Sequence, residues 1–129
     1  MGIKTAAVRI LDNQGLPNLF RGRSKYVLVQ AQESDKKDNV FLLLCANQNE
    51  AYHADILTDL RNSFPHFIFV PQGGGVMSID PDRKITYFYG ESGSYGEADH
   101  ETARQIFEDA YSEYGLCKDK LASTLTTTH

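Results

Sequence analysis

Tyr26-Val27-Leu28-Val29-Gln30-Ala31-Gln32, then Glu33-Ser34-Asp35-Lys36-Lys37-Asp38-Asn39, then Val40-Phe41-Leu42-Leu43-Leu44-Cys45 decide the fold. The first piece is β-branched and aromatic and passes into alternation, as a strand does. The last is apolar on both faces, as a central strand is when both sides of its sheet are covered. The seven polar residues between them form a solvated loop. Two strands joined by such a loop make a hairpin, and a hairpin makes the sheet antiparallel at its centre.

Outward from this pair, Thr5 to Leu11 and Phe67-Ile68-Phe69-Val70 read as further strands. Val76 to Ile79 and Ile85-Thr86-Tyr87-Phe88-Tyr89 flank Asp80-Pro81-Asp82-Arg83, whose residue types suit a β-turn. Two segments read as helices. Ile56, Leu57, Leu60 and Phe64 line one face, with His53 on the same side in the opening turn and Pro65 as the stop. Ala103, Ile106, Phe107, Ala110, Tyr111 and Tyr114 form a wide apolar stripe, with Asp99 as N-cap and Gly115 as the C-terminal stop. The expectation is a single small α/β (α+β) domain. It has a mixed, mostly antiparallel sheet of about six strands flanked by two helices.

Composition fits one domain over residues 1–129. Hydrophobic residues make up 41% of 129, enough for one core. Thirteen Lys and Arg against seventeen Asp and Glu leave a net charge of −4. That balance argues against a nucleic-acid surface, though not against a local basic pocket. No apolar run approaches the ~20 residues that span a bilayer. Met1-Gly2-Ile3-Lys4 lacks a secretory signal, and Ala6 stands where myristoylation needs Ser or Thr. Two cysteines, Cys45 and Cys117, make no disulfide framework. We expect a cytoplasmic monomer with a frayed tail over residues 123–129.

Several chemistries are excluded. A thiol phosphatase needs Cys, five residues, then Arg; neither Cys45 nor Cys117 satisfies this. Nucleotide-loop and zinc-helix patterns are absent. His53, His66, His100 and His129 lack ligand spacing, so neither a metal site nor a cofactor is expected.

Four constellations remain. In Tyr52-His53-Ala54-Asp55, a His in a helix's first turn feels the positive end of the dipole, which favours the neutral imidazole that a general base needs; an ordinary capping His fits the same place. Gly73-Gly74-Gly75 allows close backbone approach, in a pocket wall or in a tight connection between strands. Gly90-Glu91-Ser92-Gly93-Ser94-Tyr95-Gly96 suits either an anion-binding nest of amides or a plain loop. Lys25, at a strand start, is placed either to pin a phosphate or to lie in solvent.

In order, Lys25-Tyr26-Val27-Leu28-Val29, Tyr52-His53-Ala54-Asp55-Ile56, the glycine triplet, and Tyr89 to Gly96 with His100 resemble the 14-kDa phosphohistidine phosphatase family, also called the janus family. The similarity runs from about Lys25 to Tyr114. The resemblance implies a metal-independent protein phosphatase that hydrolyses the P–N bond of phosphohistidine in proteins or peptides. It implies a catalytic His53, with Lys25, Gly74, Gly75 and the Ser92, Gly93 and Ser94 loop on the substrate. His100 matches a family position without a role of its own. The sequence departs from the pattern where Val76 follows the triplet, where Cys45 replaces an Arg, and in having no Trp. The missing cations motivate an alternative, a non-catalytic phosphohistidine-binding module of the same fold. A third reading is a scaffold that merely keeps the fold.

Overall fold

Alternation along residues 22–33 sends odd and even side chains to opposite sides of a long central strand. The computed structural model, which describes residues 5–11, 21–36, 40–111 and 114, gives each side its own helix. The strands are β1 (Thr5–Leu11), β2 (Gly22–Glu33), β3 (Val40–Asn47), β4 (Phe67–Asp80) and β5 (Ile85–Tyr89); the helices are α1 (His53–Ser63) and α2 (His100–Ala110). The sheet order is β1-β3-β2-β4-β5. The β2–β3, β2–β4 and β4–β5 pairings are antiparallel, and β1–β3 is parallel, so the sheet is mixed.

Val27, Val29 and Ala31 of β2 join Leu43, Cys45 and Phe69 to meet Ile56, Leu57 and Leu60 of α1. Tyr26 and Leu28 face the other way, with Leu44, Ala46, Met77 and Phe88, onto Ala103, Ile106 and Phe107 of α2. Burying a side chain such as Leu57 or Ile106 contributes roughly 1.5–3 kcal/mol before chain entropy is counted. α1 runs to Ser63, where Pro65 stops it as expected. α2 starts at the expected cap, Asp99, whose side chain accepts from the Thr102 N–H at 3.2 Å.

Two expectations change. The sheet has five strands among the described residues, because Phe67–Val70 and Val76–Ile79 are one strand. The glycine triplet between them is no connection. Gly73, Gly74 and Gly75 pair with Leu28, Val27 and Tyr26, and a register shift between Leu28 and Val29 absorbs the extra residue. β1 pairs in parallel, which hairpin logic does not reveal. The Asp80 turn stands: Asp80 Oδ1 accepts the amides of Asp82 and Arg83, and Lys84 takes a φ of 58°. Gly115, Cys117 and the tail lie outside the described residues. No helix among the described residues is long and apolar enough to cross a membrane.

Candidate functional site

α1 begins at His53, which puts its imidazole in the helix's first turn. The side chain is 7% exposed. Its Nε2 lies 2.9 Å from the carbonyl oxygen of Gly75 in β4. A carbonyl only accepts, so Nε2 carries the proton and the neutral ring keeps its lone pair on Nδ1. Burial lowers the His53 pKa from its ordinary value; the Gly75 bond opposes this, and the charge of Lys25 adds to the lowering. The neutral form is therefore favoured at neutral pH.

Gly74 makes this position possible. A Cβ there would stand 2.7 Å from His53 Cδ2, 2.8 Å from the Tyr26 carbonyl oxygen and 3.0 Å from Ser92 Cβ. Real side chains do not approach so closely, so the strand must be bare where the imidazole lies on it. The triplet thus acts within a strand, bringing His53, Gly74 and Ser92 together. Gly75 is bare on the opposite face, where a Cβ would stand 2.7 Å from His100 Cε1.

Ser92 is buried, and its Oγ accepts the amides of Ser94 and Tyr95 at 3.2 and 3.1 Å. Ser92 and Gly96 also exchange backbone hydrogen bonds at 3.1 and 2.8 Å. The loop is a closed turn, and the expected nest narrows accordingly, because the Ser94 amide is committed to Ser92. Among the described residues no hydrogen bond takes the Gly93 N–H. A Cβ on Gly93 would meet nothing within 4 Å. Gly93 is thus the part of the loop with open space before it.

Lys25 shares the α1 face with Val27 and lies opposite Val76 in register. With Arg23, Gln48, Glu50, Val76 and Tyr89 it lines an open recess of about 300 Å³. His53 and Ser92 are not in this lining; Lys25 is the link, since its charge acts on His53. The two departures from the family pattern therefore differ. Val76 stands in the recess wall, whereas Cys45 is fully buried beneath α1, its thiol pushed up to about 12 by burial. Cys45 stays a protonated core residue.

The sequence reading missed three contributors. Arg23, two residues before Lys25 on the same strand face, brings a second cation to the recess; the period-two spacing could have revealed it. Glu50, also in the recess, has a pKa raised to about 7, first by a side-chain hydrogen bond with Asp59 and then by burial and that neighbour's charge. Nothing short of the folded packing joins Glu50 to Asp59. The third is the partner of His100. The hydroxyl of Tyr26 bonds its Nδ1, and its Nε2 donates to the Gly90 carbonyl at 2.8 Å. Burial raises the Tyr26 pKa well above its usual value, so the phenol remains the donor. His100 thus braces the start of α2 against β2 and the 90–96 loop, away from His53. Among the described residues no group of three or more His, Cys, Asp or Glu could hold a metal ion.

Comparison with known proteins adds one finding. No curated protein matches the chain. The sequence model of the Janus/Ocnus family matches residues 18–115, most of its length. This overturns the assignment to the 14-kDa phosphohistidine phosphatase family that the motif resemblance suggested, because the matching model is that of Janus/Ocnus. The motifs from Lys25 to Gly96, and the elements that place them, all fall within that span: the chain belongs to the Janus/Ocnus family.

Proposed function

We propose that this domain is a metal-independent phosphohydrolase that cleaves the P–N bond of phosphohistidine in proteins or peptides. One observation carries the reading: a buried, neutral His53, its proton fixed on Nε2 by Gly75, lies under the influence of the Lys25 ammonium. A base with a defined lone pair beside a cation suits attack of water on a phosphoryl group.

In the proposed step His53 Nδ1 takes a proton from water as its oxygen bonds to phosphorus in line. The P–N bond breaks and the leaving imidazole nitrogen takes a proton, which gives inorganic phosphate and histidine. Lys25 and Arg23 hold the phosphoryl oxygens, with the Gly93 amide as a further donor. Ser92 and Ser94 keep that loop in shape, Gly74 admits the His53 ring, and Gly75 fixes its tautomer. Glu50, whose pKa is raised to about 7 chiefly by Asp59, is the donor to the leaving nitrogen. A phosphoramidate is labile once that nitrogen is protonated, so positioning supplies most of the barrier reduction. The reading includes a monomer in the cytoplasm and no cofactor.

The second reading, a phosphohistidine-binding module without turnover, is favoured by apolar Val76 in the recess wall. The deciding experiment is hydrolysis of a phosphohistidine peptide in EDTA by wild type and His53→Ala. Turnover that survives the chelator and disappears in the variant supports the enzyme. Binding without turnover in both supports the module.

A further inference from the structure

Helix α1 has 11 residues, and β2, which it crosses, has 12. A helix rises ~1.5 Å per residue and a strand ~3.3 Å, so α1 leaves part of its sheet face uncovered. Its N-terminal end opens on the polar recess. Beyond its C-terminal end lies a second cavity, of about 250 Å³, which among the described residues shares no lining residue with the recess.

Phe41, Phe64, Phe67, Phe69 and Leu43 form the walls of this second cavity, and among the described residues Arg9 is the only charged one in its lining. The aromatic wall is ordered by its own contacts. Phe67 stacks on Phe69 with centroids 5.9 Å apart and an interplanar angle of 16°, and Phe41 lies 6.2 Å from Phe67. The Arg9 guanidinium carbon sits 5.0 Å from the Phe64 ring centroid. One face of the guanidinium is covered, and among the described residues no hydrogen bond takes its N–H edge, which suits a planar acceptor. Among the described residues no carboxylate lies within ion-pair distance of Arg9.

We propose that this cavity is a binding site for a small aromatic carboxylate. The ring lies against the phenylalanines, and the carboxylate takes the Arg9 fork in a bidentate pair. Size excludes a long acyl chain and admits one ring with a short arm, since an apolar cavity of ~150 Å³ already holds benzene. Charge selects the acid over a neutral ring, because a guanidinium at an apolar wall gains most from an anion that replaces its water. This site needs nothing from His53 and stands apart from the proposed hydrolysis.

The test is a titration of the full chain with phenylacetate and, separately, with its neutral isostere phenylacetamide, followed by amide NMR. The expected result is saturable shifts at Ala31, Leu43 and Phe69, with the acid binding about tenfold more tightly than the amide. Arg9→Gln should abolish that preference and leave amide binding in place, while Ala31→Leu, which fills the cavity, should remove both. Equal binding of acid and amide by the wild type, shifts that do not saturate, or shifts that map elsewhere would overturn the proposal. The acid–amide comparison uses the wild type alone, so it holds even if a variant fails to fold.

Discussion

At the scale of single residues, Gly74 and Gly93 make opposite demands. A methyl group on Gly74 meets a ring, a carbonyl and a serine at 3.0 Å or less, and the carbonyl is backbone of the paired strand β2. Gly74→Ala should destabilise the domain by roughly 1–3 kcal/mol, as overpacking does, and push His53 off Gly75. Gly93→Ala meets open space and needs no positive φ, so stability should stay within ~0.5 kcal/mol of wild type. Thermal unfolding of both variants checks the pair. His53 offers a second prediction. Its folded pKa is depressed by burial and by Lys25, so the unfolded chain takes up the proton first as pH falls. The stability tied to this group is thus complete above the ordinary His value and is lost as pH drops through the folded one. Lys25→Met removes a positive charge and should raise the His53 pKa, read as the midpoint of its ring resonances by NMR. A midpoint unmoved by the substitution would show that Lys25 does not act on the ring.

At the scale of elements, the two helices start differently. α2 has a side-chain cap, Asp99 to Thr102, whereas Tyr52 caps α1 with backbone alone and is 69% exposed. Tyr52→Ser supplies the missing acceptor at little cost in burial, and should stabilise the domain by roughly 0.5–1 kcal/mol in chemical denaturation. An unchanged midpoint would mean that the amides at the α1 start are already satisfied. Much of this layer was legible in the sequence. The 3.6-residue spacing of Ile56, Leu57 and Leu60, the stop at Pro65, the cap at Asp99 and the Asp80 turn are local signals, and each appears where its residues demand. The continuity of β4 was not legible. Three glycines after Pro71 read as punctuation, yet they stay within the strand, Gly73 at a φ of 133°, because β2 pairs with them and His53 and His100 need bare backbone on either face of Gly74 and Gly75. The parallel docking of β1 depends on partners distant in sequence. In the candidate site, His53 and Lys25 were readable from their positions on elements. The capture of the Ser94 amide by Ser92, and the placing of Asp59 where it raises the Glu50 pKa, depend on packing that only the fold sets.

At the scale of the whole molecule, a chain of net charge −4 gathers Arg23 and Lys25 at one recess. The overall field repels anions, so the proposed capture of a phosphoryl group would depend on these two cations at short range. Two residues apart on one strand face, both line the same recess, Lys25 acting on His53 and Arg23 lying farther toward the strand start. A site built in this way loses affinity when either cation is removed. Because the recess is open to water, it also loses affinity as salt screens it over the ~8–10 Å Debye length of physiological solutions. Arg23→Gln should weaken binding of a phosphohistidine peptide about tenfold at low salt, with a smaller loss near 0.5 M salt, where screening has already reduced the wild-type affinity. Calorimetric titration of wild type and variant at two ionic strengths reads both effects. Equal affinity for the two proteins at low salt would remove Arg23 from the site. A loss that did not shrink with salt would mean that Arg23 acts through the shape of the recess rather than through its charge.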